Sequence, residues 1–192
     1  ALKDAGFDVM SIANNHTGDF GQPGRDATIR ALDDNGIFHS GPVGDIASFT
    51  SQGLKIALIA FSTGGGVYRV QDIEMAKKVV RAQKPAHDLV FVSFHGGAEG
   101  SRAARVPQGV EMFLGENRGD LRAFSHSVVD AGADLVLGHG PHLLRGMELY
   151  KERLIAYSLG NFCTWNTFNL SGPLGITAIL EVEVAPNGVL LN

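Results

Sequence analysis

Three apolar runs in this chain each end in a polar motif that contains histidine. Residues 7–13 lead into Asn14-Asn15-His16, and residues 88–94 into His95-Gly96-Gly97-Ala98-Glu99. Residues 133–137 lead into Gly138-His139-Gly140-Pro141-His142. Short, mainly apolar runs of this length read as strands. In open α/β sheets the ligand site lies beyond the carboxyl ends of the strands. Three such endings therefore point to one site gathered from distant parts of the chain.

Between these runs the spacing is helical. Residues 26–35 place Ala27, Ile29, Ala31 and Leu32 among the apolar positions of a helix that Gly36 stops. Asp72 is an N-cap candidate for a helix reaching Gln83, and residues 120–131 predict another, closed by Gly132. Residues 55–61 are apolar enough for a further buried strand, followed by a Gly64-Gly65-Gly66 loop. After Pro141 the pattern changes. Residues 144–150, 153–158, 176–184 and 189–191 read as strands joined by turns, with Lys151-Glu152 as a tight hairpin connection. A βαβα order followed by a β-meander predicts an α/β fold of two packed sheets with helices outside.

Composition narrows the function. At 192 residues, with no internal repeat or linker, the chain reads as a single domain over 1–192. A net charge of −4 gives no support for a nucleic-acid partner. The single cysteine, Cys163, excludes an intrachain disulfide and a thiolate metal cage. No run approaches the roughly 20 apolar residues of a membrane helix, and no signal peptide opens the chain. Residues 1–6 read as the last turn of a helix, and Asn187-Gly188 as a hairpin turn just before the end. The expectation is a piece of a longer protein, truncated at its N-terminus, with any anchor upstream.

The strand endings carry the chemistry. Asn15 offers a neutral hard oxygen to a cation, and His16 can serve as a ligand or as a proton donor. The same loop can equally be a helix cap. His95 and Glu99 flank two glycines that let the backbone turn closely around a ligand, or else Glu99 is merely solvated. Arg102 and Arg105 can clamp an anion, although surface arginines are more often solvated. His139 and His142 can chelate one ion, or be one hydrogen-bonded and one exposed histidine. Asn161, in a fourth polar strand ending, is a candidate for the same pocket. His39, His87 and His126 read as background. Gly-x-Ser-x-Gly is absent, which removes a serine-hydrolase reading at Ser158. Asparagine, histidine and carboxylate ligands without sulfur suit Mn, Zn, Fe or Ni, and two ions rather than one.

Together these motifs resemble the CapA family of poly-γ-glutamate capsule synthesis proteins, within the calcineurin-like metallophosphatase fold. The stretches that carry the resemblance are Ala13-Asn14-Asn15-His16 with Asp19-Phe20-Gly21, and His95 with Gly97 and Glu99. Residues 130–136, Gly138-His139 with Pro141-His142, and residues 154–162 complete it. The resemblance implies an α/β/β/α sandwich and a two-metal site. Asn15, His95, His139 and His142 would be ligands and His16 the acid protonating a leaving group. Asn14, Asp19, Glu99, Arg102, Arg105 and Asn161 would face the substrate. The expected activity is metal-dependent hydrolysis of phosphoester-type anionic substrates, by a water activated at the metal. Amide-bond chemistry on the polymer would use the same metals. The rival is a non-catalytic polyglutamate-binding or scaffold component of capsule synthesis or export, its basic groove drawn from Arg102, Arg105, Arg118, Arg122 and Arg145. The family's setting implies the bacterial cell envelope or its extracellular face. Three features depart from the pattern. The last two histidines stand three apart where the superfamily has two, and Gly96 replaces an aromatic. The superfamily's opening Asp-x-His and Gly-Asp-x-x-Asp motifs are absent.

Overall fold

Residues 54–62 form the longest strand among the described residues, because nothing in them interrupts burial: every position from Ile56 to Ser62 is buried. The computed structural model describes residues 1–164 and 168–191. In chain order its elements are β1 (Val9–Ser11), α1 (Gly21–Asp34), β2 (Phe38–Ser40), β3 (Ala47–Ser51), β4 (Leu54–Ser62) and β5 (Tyr68–Arg69). Then follow α2 (Ile73–Gln83), β6 (Leu89–His95), β7 (Met112–Phe113), β8 (Glu116–Asn117) and α3 (Leu121–Asp130). The series ends with β9 (Leu135–His139), β10 (Met147–Tyr150) and β11 (Arg153–Ala156).

The main sheet runs β10-β11-β9-β6-β4-β3, with β5 alongside β4. β11, β9, β6 and β4 are parallel neighbours, while β3 and β10 close the edges antiparallel. Parallel strands all present their carboxyl ends at one edge of the sheet. Here the register sets Ser62 beside His95 and His95 beside His139.

Two helices cover one face of that sheet. Asp72 caps the first as expected, and Asp120, read from the sequence as the first residue of the second, caps it instead; they accept from the Met75 and Ala123 amides at 3.0 and 2.9 Å. Beneath them Phe124 meets Phe61 and Phe94 edge-on, with centroids 5.1 and 5.7 Å away. All three are fully buried, and each such side chain stabilises the fold by about 1.5–3 kcal/mol. A separate parallel pair, β1 with β2, forms a second, smaller sheet. Ala13, Ala60 and Val67 form a small apolar cluster of their own, and the Ala60 amide donates to Ser40 Oγ. The architecture is mixed α/β, with several sheets flanked by helices.

Several elements differ from the sequence pattern: β3 and β5 are not marked in it, and residues 189–191, read as a strand, form none. α1 begins at Gly21, ahead of residue 26, without a side-chain cap. Residues 176–184 form no strand: Thr177 Oγ1 and the Ala178 amide both reach Leu159 O, but no ladder develops. The bridge Val184–Leu190 is isolated. Alternating apolarity says which face a strand would bury, not whether a neighbour exists to pair with it. Finally, between β6 and α3, where the pattern marks no element, β7 and β8 form a short hairpin. The Lys151-Glu152 turn is as expected, with φ of +48° and +63°, the left-handed pair a two-residue hairpin requires.

Candidate metal centre

Among the described residues Asn15 Oδ1 and His95 Nε2 are buried atoms of ligand type without a hydrogen-bond partner, and so are Gln71 Oε1 and Ser125 Oγ. Leaving a buried polar atom unpaired costs about 1–3 kcal/mol, so two of them at strand endings ask for an explanation. His95 is the last residue of β6 and His139 the last of β9. The amide of Gly96 donates to His139 O at 2.9 Å, locking the two strand ends together. Gly140 makes that approach possible, since a Cβ there would stand 2.6 Å from Gly96 O. The wall that an aromatic would form after His95 is filled instead, by Arg118 O and Leu121 against Gly96.

The electrostatics keep these imidazoles neutral. Burial pushes His95 down to about 3, helped by the Arg118 guanidinium and by His139, His142 and His16. Burial also lowers His139. A neutral imidazole keeps a lone pair for a metal. That His16, His139 and His142 all act on His95 places the four histidines in one electrostatic neighbourhood.

The Asn14–Asp19 loop is tied from within. Asn14 Oδ1 accepts from the His16 amide at 2.8 Å, so its carboxamide oxygen is used locally. Thr17 Oγ1 accepts from the Asn14 amide and donates to Ile12 O. His16 Nδ1 lies 2.9 Å from Asp19 Oδ2, and both side chains are exposed. Asp19 therefore orients His16. Arg25, which the sequence pattern did not mark, clamps this loop to the glycine loop: Nε donates to Thr17 O and Nη2 to Gly65 O. Arg25, His16 and Asn14 also line a common hollow of about 250 Å³.

On the other side, His142 Nδ1 lies 2.8 Å from Asn161 Oδ1, and its ring stacks on Phe168 at 4.5 Å. Its Nε2 lies 3.9 Å from Glu99 Oε2. The other Glu99 oxygen is 2.8 Å from Arg118 Nη2, an ion pair poorly angled for a hydrogen bond. Arg102 is exposed. Arg105 is brought elsewhere, to a hollow lined by Arg122, Glu148 and Tyr157 and by none of the strand-end histidines. Arg118 and Arg145, expected in a basic groove, are internal at 2% and 3% exposure. Arg145 grips Glu111 through two bonds of 2.9 and 2.7 Å and also reaches Ala98 O and Ala103 O. It braces the loop that follows His95.

The family model for bacterial capsule synthesis proteins, PGA_cap, matches residues 1–165. The chain belongs to that family. It is 31% identical over 183 residues to the capsule biosynthesis protein CapA of Bacillus anthracis, covering 84% of this chain and 41% of that protein. It is 31% identical over 180 residues to the PGA biosynthesis protein CapA of Bacillus subtilis strain 168, covering 84% and 43%. The chain thus spans less than half the length of these two relatives. A crystal structure of a hypothetical protein from Thermus thermophilus shares the fold, with a TM-score of 0.52 and 16% identity over 83% of this chain and 56% of that one.

Within this PGA_cap chain, the fit to a cation is one of donor chemistry. Asn15 Oδ1 and His95 Nε2 are open among the described residues, and burial lowers the pKa of the half-buried His139, which favours its neutral form. Among the described residues, no three His, Cys, Asp or Glu side chains converge as a ready-made ligand group. An asparagine oxygen stands outside that set. The background histidines are held elsewhere: His39 by Asp45 and Asp33, His87 by Ser48 and Gln83 O, and His126 by Glu148. Burial opposes protonation of His39, but the two carboxylates outweigh it and raise its pKa.

Proposed function

We propose that this PGA_cap chain carries part of the metal site of a hydrolase acting on phosphoester-type anionic substrates in capsule polymer synthesis. One observation carries the reading: Asn15 Oδ1 and His95 Nε2 are buried, of ligand type, and unpartnered among the described residues. Asn15, His95, His139 and His142 would hold one or two divalent ions, Mn, Zn, Fe or Ni. Such a cation supplies Lewis acidity toward a phosphoryl oxygen and toward water. The rest falls to the chain. His16, oriented by Asp19 at 2.9 Å, protonates the leaving oxygen. The Arg25 clamp holds that pair's loop against the glycine loop. The bacterial cell envelope, with a polyglutamate or small anionic substrate, is the setting this reading carries.

The experiment is hydrolysis of an aryl phosphate by the full-length protein, loaded in turn with Mn, Zn, Fe and Ni. Activity is expected with at least one metal, falling about 10²–10⁴-fold in His16→Gln at unchanged metal content. No activity with any of them overturns the reading.

A second reading, non-catalytic binding of polyglutamate, has its own observation. Arg105 and Arg122 line one hollow of about 580 Å³, and Arg122 Nε is buried without a partner among the described residues. Salt-sensitive polymer binding that is lost in Arg122→Ala and survives His95→Ala favours it. Loss with His95→Ala ties binding to the metal instead.

A further inference from the structure

The geometry points to Asn161 as a positioning residue that fixes His142 in the tautomer protonated at Nδ1, leaving the Nε2 lone pair free for a cation. This rests on the metal reading of His142 and deepens it. Both ends of the Asn161 carboxamide are committed. Its amide nitrogen donates to His142 O at 2.9 Å and to Leu174 O at 3.1 Å. Turned the other way, the amide would set its oxygen against two carbonyl oxygens and leave its nitrogen facing the imidazole. Asn161 Oδ1 is therefore the acceptor facing His142 Nδ1 at 2.8 Å, and the proton between them belongs to the imidazole. In a neutral ring that makes Nε2 the unprotonated nitrogen.

The surroundings aim that nitrogen. His142 has φ of +59°, a left-handed backbone that a residue with a side chain adopts at a cost. Asn161 bonds both the carbonyl and the ring of this one residue, so it fixes backbone and side chain together. Phe168 covers a ring face at 4.5 Å. Nε2 then looks toward Glu99 Oε2, at 3.9 Å too far for a direct hydrogen bond. Two acceptors turned toward each other across that gap suit a shared positive charge better than they suit each other. Histidine ligands commonly have the second ring nitrogen held in this way. Asn161 was expected to face the substrate; its polar atoms are instead spent on His142 and Leu174.

The test uses the full-length protein, metal-free, with ¹⁵N-labelled imidazoles, at a pH where His142 is neutral. The ¹⁵N shifts and couplings of His142 report which nitrogen carries the proton. The wild-type ring is expected as Nδ1–H. Asn161→Leu, close in size and unable to bond, is expected to move it toward Nε2–H. Asn161→Asp keeps the acceptor for Nδ1 and is expected to retain Nδ1–H, at a cost in stability because its second oxygen then faces the His142 and Leu174 carbonyls. In a Zn²⁺ or Mn²⁺ titration the leucine variant should bind about 10–100-fold more weakly, with the aspartate variant recovering much of the loss. Wild-type His142 protonated at Nε2 overturns the proposal. So does an unchanged tautomer in Asn161→Leu. If that variant does not fold, the wild-type tautomer and the Asn161→Asp variant decide. Absence of metal binding by the wild type sinks the hydrolase reading, and the tautomer still decides the role of Asn161.

Discussion

His95 and His139 are register partners at the carboxyl ends of two parallel strands, β6 and β9. One pairing puts residues separated by more than forty positions in the chain side by side. Ser62, at the end of β4, extends the row by one strand. The row needs no special loop: it follows from three strands that share a direction and end on the same level. What the loops add is reach, bringing Asn15 and His16 from the side of β1 and His142 from beyond β9.

Acid should destabilise this protein through His95. Its folded-state pKa of about 3 lies below the ordinary 6.5. Between those values the unfolded chain binds a proton that the folded chain refuses, so stability rises with pH through that window and levels off above it. His139 is lowered in the same direction. Thermal melts of the metal-free protein from pH 4 to 8 should show Tm climbing toward about 6.5, with a shallower climb in His95→Gln. Equal slopes in the two proteins would count against burial as the cause.

The Arg145–Glu111 pair should behave as a structural brace. Both side chains are buried, and Glu111 also accepts from the Ala98 amide at 2.9 Å. Removing one member of a buried pair strands the other, at a cost of about 3–5 kcal/mol. Glu111→Ala should therefore lower denaturant stability by that order, whereas Arg102→Ala, on an exposed residue, should change it by less than about 0.5 kcal/mol. Chemical denaturation of both variants checks the contrast.

Gly140 offers a finer test. With φ of +120° and Gly96 backbone 2.6 Å from any added Cβ, Gly140→Ala must push apart the endings that carry His95 and His139. Gly146→Ala meets nothing within 4 Å. The first substitution should destabilise by more than about 1 kcal/mol and weaken metal binding. The second should do neither, as melting and metal titration would show.

The sheet's central strands and the cap of α2 were legible in the sequence, because each is written locally. Residues 56–61 and 89–92 are apolar without interruption, and Asp72 stands directly before its helix. The histidine endings were legible for the same reason. What was hidden depends on partners far away. Arg118 and Arg145 look like solvated loop arginines until Glu99 and Glu111 are folded against them. Arg25 looks like an ordinary helix residue, yet its role rests on the carbonyls of Thr17 and Gly65. Residues 176–184 alternate like a strand, but the ladder that would make them one is not decided by their own sequence. The commitment of Asn161 to His142 spans nineteen positions and left no mark in the spacing.

The most direct test is the metal content of the full-length protein, measured by elemental analysis after equilibration with Mn, Zn, Fe or Ni and removal of free ions. The expected result is bound metal in the wild type, at least one ion per chain for one of the four, with strong loss in His95→Ala and in Asn15→Ala while both variants stay folded. Wild-type protein that retains none of the four, or variants that retain as much as the wild type, would contradict a metal centre at these strand endings.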